Sequence, residues 1–143
     1  MRALTVKQPW SAAIAHGPKR IENRSRSIPA QHVGSTILIH AGQDYSPVGR
    51  ITVLDVFDQE PEDLWPEHRG AIVAVATLAN CHQDEGCCRP WGFPDAWHWQ
   101  LTDVRAVPHP ILGVRGQLGL WTVPDDVLAA VQRQVYLPER SAQ

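Results

Sequence analysis

The chain has 143 residues, of which 43% are hydrophobic and 20% are charged, and its formal net charge is -2. This length suits a single domain, and the composition excludes both a disordered chain and a membrane protein. The net charge excludes the overall basic excess that is typical of duplex-binding proteins. No apolar run is long enough for a signal peptide or a membrane span, so we expect one domain over residues 1–143, a cytoplasmic location and no membrane partner.

The first predicted elements are a strand at 3–6 and a two-turn helix over 9–16. Pro9 is tolerated in the first turn of a helix, and apolar residues recur after it at helical spacing. Gly17 is a natural stop for this helix. A polar strand at 21–25 then suits the rim of a sheet, where alternation points Glu22 and Arg24 to one side and Asn23 to the other.

The rest of the chain alternates apolar runs with loops. Strands are predicted at 36–40, 72–76, 97–107 and 116–123, and helices at 48–57 and from Pro124. Pro108 and Pro110 are expected to end the fourth of these strands after a bend at Asp103, and the chain is expected to fray from Pro138. Five or six strands and two or three helices without regular βαβ spacing predict an α+β, barrel-like domain.

Charge is distributed unevenly along the chain. Five of the thirteen Lys/Arg residues lie between residues 4 and 26, where Glu22 is the only acid. The N-terminal part is therefore the cationic part and the first place to look for an anion-binding site.

Two motifs dominate this cationic part: Lys7-Gln8-Pro9-Trp10 and Gly17-Pro18-Lys19-Arg20-Ile21-Glu22-Asn23-Arg24. They closely resemble the ASCH domain (activating-signal-cointegrator homology) of the PUA-like superfamily, whose hallmark is a strand, a Gln-Pro-Trp-Ala-like helix start and a Gly-x-Lys-x-x-Glu-x-Arg segment. The resemblance extends over most of the chain, since His40-Ala41 and the segments 70–79, 99–107 and 116–121 follow in the family's order.

The resemblance implies a PUA-like mixed β-barrel with two or three flanking helices and a cleft between the motif helix and the barrel. Family members are generally linked to RNA, nucleotides or modified nucleosides. The residue types agree with such a partner. Lys7, Lys19 and Arg24 can donate to phosphate oxygens, and Gln8 and Asn23 can pair with the edge of a base. A flipped-out base or a single-stranded end suits this site better than a duplex.

Aromatic residues offer stacking surfaces for a base. Trp10 is one candidate, although its position on the apolar face of the helix also predicts a core residue. The loop that leads to Trp97 and His98 carries several more aromatics and could roof the cleft, with His98 as a hydrogen-bonding partner. His40, at the end of a predicted strand, is a further candidate; packing in the core is the alternative for each of these side chains.

Lys19 and Glu22 raise the question of catalysis. Some ASCH relatives look like amidohydrolases that act on acetylated cytidine with a lysine in this segment and a threonine three residues on. Lys19 matches the lysine, but Glu22 occupies the threonine's position and cannot supply a hydroxyl nucleophile. Other relatives look like ribonucleases, and Lys19 and Glu22 could serve as an acid/base pair on a ribose 2′-OH. Alternatively, Glu22 is only an internal ion-pair partner.

A second cluster of reactive residues lies between 81 and 98: Cys81, His82, Cys87, Cys88 and His98. Thiolates and imidazoles are zinc ligands, but adjacent pairs do not form the usual C-x₂₋₄-C spacing, and neighbouring side chains in an extended chain point apart. We therefore predict no metal and no cofactor, with the thiols packed as small hydrophobes.

The leading hypothesis from the sequence is a domain that binds RNA or a (modified) nucleoside or nucleotide in a cationic cleft. The first alternative is an enzyme that processes RNA or an acylated nucleoside through Lys19 and Glu22. The second is a protein-interaction module, whose binding would depend little on salt, whereas phosphate contacts weaken steeply as salt rises.

Overall fold

A computed structural model of the chain describes residues 1–138, so the predicted fraying beyond Pro138 lies outside the described residues. Its strands are β1 (Arg2–Gln8), β2 (Ile21–Arg24), β3 (Thr36–Tyr45), β4 (Ala71–Gln83), β5 (Trp97–Ile111) and β6 (Leu120–Thr122). Its α-helices are α1 (Trp10–Ala15), α2 (Pro47–Phe57), α3 (Pro61–Leu64) and α4 (Asp125–Gln132), and Ala30–His32 form a 3₁₀ turn. Within the described part, no helix is both long and apolar enough to cross a membrane.

The six strands form one mixed sheet in the order β2-β5-β4-β3-β1-β6, curled into a half-barrel. Strands β1 and β3 pair in parallel, and the other neighbours pair antiparallel. The predicted α+β class is confirmed, with four α-helices where two or three were expected. Strands β2 and β6 are the edges of the sheet, so the curled sheet stays open between them.

Strand β5 is longer than predicted because it continues through Pro108 and Pro110 to Ile111. Its pairing with β4 is irregular there: one β4 residue lies between the pairs Ile72↔Ile111 and Ala74↔Ala106, where β5 has four. Such a bulge does not require a ladder hydrogen bond from every residue, so proline is tolerated in it. The predicted bend at Asp103 is confirmed by its φ of 49° and a second register shift.

The sheet buries apolar side chains on both faces, because successive strand residues point to opposite sides. On one face Leu4 and Ile39 pack with Ile14 of α1. On the other face Ala3 and Leu38 pack with residues that include Val131 of α4. Helix α1 therefore lies directly against the sheet, which places the loop that follows it next to β2.

We predict that Leu4→Ala lowers the free energy of unfolding by about 2–5 kcal/mol, since Leu4 is 0% exposed in the centre of the first core. Leu118→Ala is the matched control, because Leu118 is 98% exposed. Urea denaturation followed by circular dichroism measures both. Equal losses in the two variants would contradict this description of the core.

Candidate functional site

A cleft of about 380 Å³ opens beside α1, at the size at which small-molecule sites begin. It is lined by Thr5, Val6, Lys7, Trp10, Lys19, Glu22, Asn23, Arg24, Ser46, Val48 and Phe93. Three of these side chains are cationic and one is acidic. The cleft thus collects most of the charged residues of the two N-terminal motifs.

Helix α1 and the turn after it position the motif residues. The carboxamide of Gln8 accepts the backbone N–H of Ala12 at 3.0 Å and donates to the carbonyl of His68 at 2.8 Å, so it fixes the start of the helix. Gly17 follows the helix where a Cβ would lie 2.5 Å from Cζ2 of Trp65. The close approach of Trp65 requires glycine there, and the turn brings Lys19 back under the sheet.

Lys19 is the most unusual residue of the cleft, because its side chain is 1% exposed. Its ammonium donates to the carbonyl of Ile21, lies 4.0 Å from Oε1 of Glu22 and sits 4.7 Å from the centre of the Trp10 ring. Burial lowers the pKa of Lys19 from its usual 10.5 to about 8; the nearby Glu22 carboxylate opposes this shift and Arg24 adds to it. Buried charged residues are rare unless they are paired or functional.

Glu22 lies between the two cations. Nε and Nη2 of Arg24 approach its Oε2 at 3.0 and 2.9 Å, and Nη2 also donates to the carbonyl of Thr5 at 2.8 Å. Glu22 is 7% exposed, whereas the Arg24 side chain is 27% exposed and faces the cleft. The predicted alternation along β2 places Glu22 and Arg24 on the same side, as their contact requires.

Asn23 points to the loop at 84–96 that joins β4 and β5. Its Nδ2 donates to the carbonyl of Trp91 at 2.8 Å, and its Oδ1 accepts the backbone N–H of Phe93 at 2.8 Å. Both ends of the carboxamide are therefore used to hold the loop. The result is that the half-buried ring of Phe93 borders the cleft.

Trp10 lies at the floor of the cleft rather than across it. It is 8% exposed, Lys19 covers one part of its ring, and Trp91 and Phe93 meet it edge-on at 6.2 and 5.6 Å. These contacts match the core position that its helical face predicts, and they leave little of the ring for stacking.

The rim of the cleft contains residues that the sequence did not single out. Ser46 caps α2 by accepting the backbone N–H of Gly49, and Val48 is exposed beside it. The Ser-Pro pair before an apolar run is a helix-start signal that could have identified this segment. Lys7 is exposed at the opposite rim, and within residues 1–138 its ammonium has no hydrogen-bond or ion-pair partner.

Four predicted site residues lie outside this cleft: Gln8, His40, Trp97 and His98. His40 is 1% exposed, with Nδ1 3.1 Å from Oγ1 of Thr5 and Nε2 2.7 Å from the carbonyl of Val114. Burial lowers the pKa of His40, while its hydrogen bond to Val114 opposes the shift. Trp97 packs against the first core, and His98 belongs to the thiol-bearing loop.

His40 instead borders a second, larger depression of about 670 Å³. Its two cationic side chains, Arg69 and Arg115, are both exposed, and Arg69 is paired with Glu67. Exposed arginines are ordinary surface residues, whereas a buried lysine beside a buried carboxylate is not. We therefore place the candidate site in the smaller cleft, despite the greater volume of the other.

The cysteines and histidines of the second cluster are divided by the fold. His82, Cys87, Cys88 and His98 present ligand atoms that all lie within 4.8 Å of one another. Cys81 is separate, and its Sγ accepts the backbone N–H of Ile28 at 3.4 Å. The expectation that neighbouring Cys87 and Cys88 point apart is wrong, because Cys88 has a φ of 69° and the backbone turns between them.

Comparisons with known proteins place this geometry in a family. A search of curated proteins found no match. The crystal structure of ASCH from Zymomonas mobilis has the same fold, with a TM-score of 0.56, 16% sequence identity and coverage of 96% of this chain and 97% of that chain. A mutant of that protein gives 0.55, 16%, 92% and 96%.

The family model of the ASCH domain matches residues 4–110, which include both N-terminal motifs and every charged residue of the cleft. The half-barrel is accordingly the predicted PUA-like architecture. The chain belongs to the ASCH domain family.

Proposed function

We propose that this domain binds RNA or a (modified) nucleoside or nucleotide in the cleft beside α1. The observation that carries the proposal is the burial of Lys19, whose ammonium lies under an opening of about 380 Å³ with Glu22 and Arg24 around it. Keeping a cation there is unfavourable, as its lowered pKa indicates. A bound anion would offset that cost and would explain why the cation is kept.

Phosphate groups would bind at the cationic side of the cleft. Lys7 is exposed and unpaired within residues 1–138, and Nη1 of Arg24 has no protein partner in that same range. Both groups form strong, charge-assisted hydrogen bonds with phosphate oxygens. Lys19 would add a third cation from below.

A base would lie against the aromatic side of the cleft. The ring of Phe93 borders it, and the Asn23 carboxamide holds the backbone on either side of that ring. Stacking on a fixed aromatic ring is the usual way in which proteins bind unpaired bases. The hydroxyl of Ser46, which accepts from Gly49, still has its own hydrogen to donate.

A cytoplasmic location belongs to the same proposal. The three cysteines are free, and no pair of them is joined in a disulfide among the described residues. Free thiols are typical of reducing compartments, where RNA and nucleotides are also found.

We predict that Lys19→Met weakens binding of cytidine 5′-monophosphate and of a short single-stranded RNA by about 10–100-fold. The change keeps the apolar stem of the buried side chain but removes a charged hydrogen bond, which contributes about 1.5–3 kcal/mol. Lys7→Ala is expected to weaken the same ligands less, because Lys7 is exposed. Isothermal titration calorimetry and fluorescence anisotropy measure the two affinities.

Arg133→Ala is the matched control, because Arg133 is an exposed cation at the end of α4, away from the cleft. It should leave both affinities unchanged. Thermal unfolding of each variant verifies that the fold is intact. A folded Lys19→Met variant that binds as tightly as the unmodified chain would refute the proposed site.

We also predict that nucleotide affinity falls as the pH rises through about 8, because Lys19 loses its proton there. Glu22 and Arg24 are the charged groups that act on it, and the bound phosphate moves the midpoint upward. Measurements should start near pH 7, where a phosphate with its second pKa near 6 is already ionised. In Lys19→Met this fall should vanish; the same fall in both proteins would rule Lys19 out as its source.

A second function is favoured by one observation, the pKa of Lys19 near 8 beside the Glu22 carboxylate. A lysine with such a pKa is partly neutral near physiological pH and can accept a proton. Acting with Glu22, it could process RNA at a ribose 2′-OH or hydrolyse an acylated cytidine.

Under this second proposal, the chain cleaves single-stranded RNA or deacylates N4-acetylcytidine, and both Lys19→Met and Glu22→Gln abolish turnover. Chromatography of the products measures both reactions. No turnover above a buffer blank by the unmodified chain would reject catalysis, and turnover that survives in both variants would reject these two residues as its source.

A further inference from the structure

The hairpin between β4 and β5 gathers four side chains that can ligate a metal. His82 and His98 are cross-strand partners, and the loop at 84–96 returns Cys87 and Cys88 to them. The four ligand atoms all lie within 4.8 Å of one another. They come from three separate points of the chain, so the register of the two strands is what assembles them.

The distances within this set resemble those around a tetrahedral zinc ion. Nε2 of His82 lies 3.9 Å from Sγ of Cys87 and 3.7 Å from Sγ of Cys88, and Cys87 Sγ lies 4.0 Å from Nδ1 of His98. Usual Zn–S and Zn–N bond lengths imply edges of about 3.3–3.8 Å. The two sulfurs are 2.7 Å apart, and theirs is the edge among these four that must lengthen, by about 1 Å.

The backbone of the loop is bent in a way that brings adjacent cysteines to one side. Cys88 has a φ of 69°, a conformation that is uncommon for a residue with a side chain and that often marks a functional constraint. Gly92 closes the loop from the other direction. A Cβ on Gly92 would lie 2.7 Å from Cε1 of His98 and 2.8 Å from Cβ of Cys88, so the turn requires glycine.

The hydrogen bonds of both histidines leave the correct nitrogen free. Nε2 of His98 lies 2.8 Å from the carbonyl of Phe93, and Nδ1 of His82 lies 2.8 Å from the carbonyl of Gln83. A carbonyl only accepts, so each of these nitrogens carries the hydrogen. The lone pairs of His98 Nδ1 and His82 Nε2 therefore face the thiols, and a backbone carbonyl behind a ligating imidazole is the usual outer partner of a metal site.

Arg89 holds the loop closed around the four side chains. Its Nη1 donates to Oδ1 of Asp84 at 3.0 Å and to the carbonyls of Cys87 and Gly92, each at 2.7 Å. The same carboxylate oxygen lies 3.7 Å from Nε2 of His98. The geometry of the cluster is thus fixed by contacts outside it.

We propose that His82, Cys87, Cys88 and His98 bind one Zn²⁺ ion as a Cys₂His₂ site. Two thiolates balance the charge of the ion, and four protein ligands leave no position for a substrate, as in structural zinc sites. Tetrahedral S₂N₂ donors favour zinc over magnesium, calcium or manganese. The ion would pin the loop that carries Phe93 to the sheet, and its binding does not depend on whether the cleft binds a nucleotide.

The test uses the full chain, purified without a metal-affinity step, and Zn²⁺ or Co²⁺ as the probe. Mass spectrometry of the metal content is expected to give about one zinc per chain. The reduced, metal-free chain should bind Co²⁺ with the charge-transfer absorption of thiolate ligands and the visible bands of a tetrahedral ion. Cys87→Ser and Cys88→Ser should each lower zinc affinity by more than about 10-fold, the effect that even an outer partner of a ligand has.

Cys81→Ser is the matched control, because Cys81 lies next to His82 but outside the cluster; it should keep the metal. If the cysteine variants do not fold, alkylation of the unmodified chain decides: zinc should protect Cys87 and Cys88, but not Cys81, and a chelator should remove the protection. Failure of the reduced chain to bind Zn²⁺ or Co²⁺ would overturn the proposal. So would a Cys87–Cys88 disulfide that leaves one free thiol in the chain as isolated from a reducing cytoplasm.

Discussion

The cleft depends on one buried carboxylate, Glu22, which lies between Lys19 and Arg24. Removing one partner of a buried ion pair costs about 3–5 kcal/mol, because the remaining charge stays in an apolar environment. Arg24 continues from Glu22 to the carbonyl of Thr5, although β2 and β1 are not neighbours in the sheet. This chain of contacts spans the open side of the half-barrel, and the cleft forms where the sheet does not close.

The other wall of the cleft comes from a loop rather than from the sheet. Asn23 binds the backbone of that loop from β2, on the face of the strand opposite Glu22 and Arg24. His98, the partner of Asn23 in the β2–β5 ladder, belongs to the proposed zinc site. One short edge strand therefore supports the charged wall with alternate residues and the aromatic wall with the residue between them, so the position of Phe93 follows from contacts on both sides of β2.

Much of the fold and half of the site follow from local patterns in the sequence. The strand–helix–turn order, the end of α1 near Gly17 and the alternation along β2 are local, and each was predicted. The uses of Gln8 and His40 are not local: their partners His68 and Val114 lie 60 and 74 residues away, and only the folded chain brings them together. The Cys87–Cys88 pair was misjudged because one left-handed residue reverses the usual alternation, and composition does not reveal such a φ.

A crystal structure of the chain with a bound nucleoside 5′-monophosphate tests the central claim most directly. The proposed site predicts a phosphate within hydrogen-bonding distance of Lys7, Arg24 or Lys19, and a base in contact with the ring of Phe93. A nucleotide bound instead in the larger depression beside His40 and Arg115, with the cleft beside α1 left without ligand at saturating concentration, would contradict it.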